Sequence, residues 1–121
     1  MTTKQVLVVD DSTTIRLYHQ GILESAGMQV SQAANGYEAL EKVLAQTFDL
    51  FIVDINMPML DGYAFLQKLR EISQAPAIMI SSEAGEQDAQ RAYEAGASLY
   101  IVKPVDPQQL LLQINLLTGE A

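Results

Sequence analysis

Short apolar runs alternate along the chain with stretches whose apolar residues recur every three or four positions. Val6-Leu7-Val8-Val9 is a continuous run, and Ile15, Tyr18, Ile22, Leu23 and Ala26 follow it at helical spacing, which predicts a strand and then a helix. The unit recurs with a weaker strand near Met28 to Ala33 and a helix carrying Ala39, Leu40, Val43 and Leu44. Leu50-Phe51-Ile52-Val53 precedes a helix with Phe65, Leu66, Leu69 and Ile72. Ala77 to Ile80 precedes a polar helix around Glu86 to Ala95, and Leu99 to Val102 precedes a last helix from Gln108 to Leu117. Gly27, Asn35-Gly36, Pro58, Gly62, Pro76 and Gly96 fall between these elements, where turn and cap residues belong. Strands that are apolar throughout are covered on both faces, so five strand–helix pairs in regular alternation predict a doubly wound α/β fold around a parallel sheet.

The 121 residues and 13.3 kDa suit one domain, and 49% hydrophobic residues are enough for a packed core. Seven Lys and Arg against 15 Asp and Glu give a net charge of −8, with no basic stripe to follow a phosphate backbone, so direct nucleic-acid binding is not expected. Apolar runs of about four residues fall far short of a membrane span or a signal peptide, and a cytoplasmic protein is expected. Without Cys, and with His19 as the single histidine, thiolate and multi-histidine metal sites are excluded.

Polar residues of a particular kind end four of the five apolar runs: Asp10-Asp11, Asp54, Ser81 and Lys103. In a parallel sheet these ends share one edge, where ligands bind. Carboxylates crowded there repel one another unless a cation is bound, and oxygen donors without His or Cys suit Mg²⁺. A metal, a lysine and a hydroxyl donor around one carboxylate meet the needs of phosphoryl transfer, which makes Asp54 the expected acceptor.

These residues, in order, resemble the receiver domain of two-component response regulators, in particular the CheY-like single-domain type. The resemblance rests on Val8-Val9-Asp10-Asp11-Ser12, Asp54-Ile55-Asn56-Met57-Pro58-Met59-Leu60-Asp61-Gly62, Ile80-Ser81-Ser82-Glu83 and Gly96-Ala97-Ser98-Leu99-Tyr100-Ile101-Val102-Lys103-Pro104. It implies one receiver domain over residues 1–121, with the flavodoxin-like (βα)5 fold and strand order 2-1-3-4-5. It also implies phosphorylation of Asp54 by a sensor histidine kinase or a histidine phosphotransfer protein. Mg²⁺, with Mn²⁺ as a substitute, would sit on Asp11, Asp54 and the Asn56 main-chain oxygen, with Asp10 holding metal-bound water. Lys103 would pair with the phosphoryl group ahead of a cis Pro104. Ser81 and Tyr100 would form the switch, Asn56 and Glu83 would tune dephosphorylation, and a downstream protein would dock on the face of helix 4, strand 5 and helix 5. Val105 departs from the Phe common after Lys-Pro. Taken as the full protein, the chain would be a stand-alone messenger.

Structural readings stand beside these. Asp10, Asp11 and Ser12 could cap the first helix, and Asp61 is read as a cap. Asn35-Gly36 is read as turn chemistry, His19 as exposed or partly covered, and Met57 and Met59 as gap-fillers. On the last helix Leu110, Ile114 and Leu117 share one face, while Leu112 and Leu116 fall near the opposite side at about 100° per residue. Leu112 and Leu116 could therefore form a docking or self-association surface, or cover a further segment of chain. Three other functions are weighed against the receiver. A phosphatase with an Asp nucleophile would need a second Asp where Asn56 stands. A flavin carrier would need a glycine-rich turn after the first strand, where Asp-Asp-Ser stands. A receiver-like scaffold would bind its partner without phosphorylation.

Overall fold

The computed structural model describes residues 3–119. Its elements alternate as β1 (Gln5–Val9), α1 (Thr13–Ser25), β2 (Gln29–Ala33), α2 (Gly36–Ala45), β3 (Leu50–Asp54), α3 (Gly62–Leu69), β4 (Ala77–Ser81), α4 (Glu86–Ala95), β5 (Leu99–Val102) and α5 (Pro107–Thr118). The strands pair in parallel in the order β2-β1-β3-β4-β5, as the resemblance implies.

Side chains alternate across a strand, so each apolar run supplies both faces of the sheet. Val6, Val8, Leu50, Ile52, Ile78 and Ile80 join Ile22 and Leu23 of α1 and Leu110 and Ile114 of α5. Leu7, Val9, Phe51, Val53 and Met79 join Ala39, Phe65, Leu66, Leu69, Ala92 and Ala95 of α2, α3 and α4. Each of the large side chains buried there contributes about 1.5–3 kcal/mol relative to exposure. The weak second strand is a sheet edge whose outer residues are only partly covered. The other edge, β5, is protected on its outer side by the Tyr93 hydroxyl, which accepts from the Tyr100 N–H at 3.2 Å.

Helix starts are written into the sequence at a fixed spacing. Ser12, Asn35, Asp61 and Asp106 accept from the amides of Ile15, Glu38, Ala64 and Gln109 respectively, three residues on. Such a cap contributes about 1 kcal/mol and fixes where the helix begins. Asn35-Gly36 is therefore a helix cap rather than a free turn. Of the three residues at the end of β1 that could cap α1, Ser12 alone does so.

Several apolar residues of the predicted stripes face outward. Ile72 is half-exposed because α3 stops at Leu69, where Arg70 turns to serve nearby carbonyls. Leu44 sits on the solvent side of the last turn of α2, away from Ala39. Tyr18 keeps its ring half-exposed and sends its hydroxyl to the Val105 carbonyl at 2.9 Å. The inward place one position on belongs to His19, which is only 3% exposed and corrects its reading as a surface residue. His19 lies four residues after Ile15 and three before Ile22, squarely on the inward stripe.

Candidate functional site

β1, β3, β4 and β5 deliver the site. Asp54 and Ser81 are the last residues of β3 and β4, Asp10 follows β1 directly, and Lys103 follows β5. Carboxylate oxygens of Asp10, Asp11 and Asp54 all lie within 4.8 Å of one another. Lys103 Nζ donates to Asp54 Oδ1 at 3.1 Å and lies 3.8 Å from Asp10 Oδ2. Asp10 and Asp54 are buried, whereas Asp11 is exposed.

Burial raises the pKa of Asp54, the charge of Asp10 raises it further, and the Lys103 hydrogen bond opposes both. Asp10 is raised by burial too, against the Ser12 amide that donates to its Oδ1 at 2.9 Å. One ammonium among three carboxylates leaves an excess of negative charge. The donor set is all oxygen and its members are close enough to share one ion, so the residues fit a hard divalent cation.

A close backbone approach supports Asp54 from behind. A Cβ on Gly62 would lie 2.5 Å from the Asp54 carbonyl oxygen and 2.8 Å from Ile55 Cα, so the first turn of α3 packs against the end of β3 only as glycine. The Gly62 amide also donates to the Ile55 carbonyl at 2.8 Å. Asp61 caps this helix, as its position before Gly62 predicts. In the same loop Met57 is buried and fills a gap, but Met59 is 75% exposed at φ +69°, so the gap-filling expectation fails for it.

Ser81 is fully buried, and its Oγ accepts from the Glu83 amide at 3.0 Å. The Tyr100 hydroxyl donates to the Glu83 carbonyl at 2.5 Å. The two expected switch residues thus grip the two sides of one residue in the loop between β4 and α4. Asn56 and Glu83 are both exposed. The Lys103–Pro104 peptide is cis, as expected, and Val105 is buried among the residues of the α1/α5 layer.

Three contributions are not read from the sequence. Arg16 donates to the Asp10 carbonyl, and Tyr63 of α3 holds α4. The Arg91 guanidinium stacks 4.1 Å from the Tyr63 ring centroid, and the Tyr63 hydroxyl donates to the Asp88 carbonyl at 3.4 Å. Burial and the charge of Asp88 raise the Tyr63 pKa. Gly62 is the third, since a glycine after a capping Asp reads as a helix start and not as a contact point. Away from the carboxyl edge, Leu112 and Leu116 are 52% and 67% exposed on the outer face of α5, as the helical wheel predicts.

Fold and site together define a doubly wound α/β domain with its chemistry gathered at the carboxyl edge of the sheet. Residues 6–115 match the response regulator receiver domain family, and the chain belongs to that family: it is a receiver of two-component signalling, a signalling domain rather than a dedicated enzyme. It is similar to the chemotaxis protein CheY4 of Vibrio cholerae, with 36% identity, TM-score 0.90, and 96% of this chain and 99% of that one covered. A CheY-like receiver domain protein from Methanospirillum hungatei is 34% identical at TM-score 0.92, covering 98% and 95%. The transcriptional regulatory protein SrrA of Staphylococcus aureus is 33% identical over 115 residues, 95% of this chain. The chain spans 48% of the length of SrrA. Among the described residues no helix is long and apolar enough to cross a membrane.

Proposed function

We propose that this chain, one receiver domain over residues 1–121, takes a phosphoryl group onto Asp54 from the phosphohistidine of a sensor histidine kinase or histidine phosphotransfer protein. The observation that carries the reading is the trio of carboxylates within 4.8 Å, with Lys103 hydrogen-bonded to the one that ends β3. Asp11, Asp54 and the Asn56 main-chain oxygen would hold Mg²⁺, with Asp10 holding metal-bound water; the ion when bound offsets the charge of the carboxylates and of the incoming phosphoryl oxygens. An Asp54 oxygen forms the new bond to phosphorus while the phosphorus–nitrogen bond to the donor imidazole breaks and its electron pair returns to that ring. Lys103, already on Asp54, passes to a phosphoryl oxygen.

The output follows from the grip on Glu83. The Ser81 oxygen accepts from the Glu83 amide, and its own proton is available for a phosphoryl oxygen. Drawing Ser81 toward that oxygen weakens its hold on the loop before α4, while Tyr100 retains the other side through the Glu83 carbonyl. A charge of about −2 on Asp54 therefore shifts the loop only as far as these contacts differ between the two arrangements. Exposed Asn56 and Glu83, at the rim, would set how readily water reaches the phosphoryl group. A downstream protein on the α4–β5–α5 face would meet Tyr93, Val102, Leu112 and Leu116, all exposed. No charged residue lies on α5 to oppose an apolar partner.

Incubation with Mg²⁺ and a small acyl phosphate, followed by intact mass, tests the reading. Wild type gains one phosphoryl group, Asp54→Asn gains none, and Lys103→Ala gains it more slowly. No gain from any donor, including a phosphorylated kinase, overturns it in favour of a scaffold. Sedimentation of wild type and Leu112→Glu, with and without phosphorylation, separates a heterologous docking face from self-association.

A further inference from the structure

Arg16 stands in α1, outside every motif residue named above, yet its side chain ties together the elements that carry the acidic loop. Nη1 donates to the Asp10 main-chain carbonyl at 2.5 Å, Nε to Gln32 Oε1 of β2 at 2.8 Å, and Nη2 to Thr13 Oγ1 at 3.2 Å. Gln32 donates in turn to Gln20 Oε1, and Gln20 to Glu24 Oε2 at 3.0 Å, so Gln32 of β2 is bound to α1 at two points, Arg16 and Gln20. The Asp10 carbonyl lies at the joint between β1 and α1. From there Asp10 Oδ1 accepts from the Ser12 amide, Ser12 Oγ accepts from the Ile15 amide, and the Arg16 amide donates to the Ser12 carbonyl at 3.0 Å. Asp11 is held within this closed ring of bonds.

We propose that Arg16 is a positioning residue for cation binding: its planar fork fixes the Asp10–Asp11 backbone so that the Asp11 carboxylate reaches one ion with Asp54 and the Asp10 carboxylate holds that ion's water. The inference rests on the Mg²⁺ site of the proposed function. A fork of N–H donors in one plane serves the β1–α1 joint, β2 and the first turn of α1 at once, and a lysine ammonium at the end of a flexible stem does not reproduce that geometry. The charge of Arg16 acts in the opposite sense. It lowers the Asp10 pKa as a nearby cation, so by Coulomb interaction alone its removal would strengthen binding of Mg²⁺ to the carboxylates. Positioning and charge thus predict opposite signs for one substitution.

Calorimetric titration of Mg²⁺ into wild type, Arg16→Met, Arg16→Lys and Gln32→Leu decides between them, with the unfolding midpoint of each variant recorded separately. Positioning predicts about ten-fold weaker binding for Arg16→Met, as for loss of an outer partner of a metal ligand. Arg16→Lys is weakened nearly as much despite keeping the charge, and Gln32→Leu, which removes one acceptor of the fork, falls between it and wild type. Tighter binding by Arg16→Met with Arg16→Lys equal to wild type would overturn the proposal and leave charge as the only role. Equal affinity in all four folded proteins, with midpoints lowered, would also overturn it and make Arg16 purely structural. Absence of Mg²⁺ binding by wild type would instead remove the proposed function beneath it. If Arg16→Met does not fold, Arg16→Lys and Gln32→Leu still decide the matter.

Discussion

The two ends of the parallel sheet each bring strand termini with polar groups to one edge and settle them in opposite ways. At the amino end a cation meets neutral acceptors: Arg70 donates to the carbonyls of Gly96, Ser73 and Ala75 at 2.9, 3.1 and 2.7 Å. Neighbouring groups there pair with each other, the Gln5 amide with Asp49 Oδ2 at 2.8 Å and the Ala77 amide with Ser98 Oγ at 3.1 Å. At the carboxyl end a single lysine faces three carboxylates, two of them buried. The amino end is satisfied by the chain itself. The carboxyl end is left with a charge imbalance that an ion and a phosphoryl group would relieve, which is how a binding edge differs from a structural one.

The largest expected effect lies at the satisfied end. Arg70→Met strips three carbonyls of their donor and should lower the unfolding free energy by about 3 kcal/mol in denaturant titration, while Mg²⁺ affinity in the folded variant stays at the wild-type value. A change in that affinity would mean the two ends are coupled.

Next comes His19, held neutral below the carboxyl edge by burial, with Lys103 adding to the effect. Its pKa is lowered to about 4, against 6.5 when unfolded. The unfolded chain therefore binds a proton at His19 that the folded one refuses, and stability is lost as pH falls from 6.5 toward 4. His19→Leu should flatten that loss by up to about 3 kcal/mol, read from unfolding free energies across the window. The same slope in both proteins would show that His19 is accommodated as a cation. A smaller effect is expected at Met59, whose φ of +69° glycine adopts without strain. Met59→Gly should raise stability by about 1 kcal/mol in thermal unfolding, net of glycine's greater freedom in the unfolded chain. An unchanged or lower midpoint would mean the strain is offset by contacts of the methionine.

The architecture was legible because local signals agree: apolar runs, helical stripes and the caps at Ser12 and Asp61 point to the same alternation, whereas the caps at Asn35 and Asp106 show only in the structure. The residues of the acidic edge were legible because strand ends in a parallel sheet share a side. What escaped depends on distance in space. Arg16 and Gln32 look like ordinary polar residues until β2 is laid beside β1, and Gly62 looks like a helix start until α3 is packed on Asp54. His19 was legible in principle, since the stripe through Ile15 and Ile22 passes over it. Reading that stripe for apolar residues alone passes over a histidine that is buried neutral.

The imbalance at the carboxyl edge has a direct thermodynamic test. The folded pKa of Asp54 is raised above 3.8, so the folded chain holds its proton longer and, without metal, loses stability as pH rises through the raised value. Unfolding free energies of wild type and Asp54→Asn at pH 7, with and without Mg²⁺, isolate that cost. Without Mg²⁺, Asp54→Asn should be the more stable, an advantage that disappears at low pH. At about one hundred times its dissociation constant, Mg²⁺ should stabilise wild type by about 2.7 kcal/mol and reverse the order. An Asp54→Asn variant less stable than metal-free wild type, or a wild type indifferent to Mg²⁺, would contradict the account.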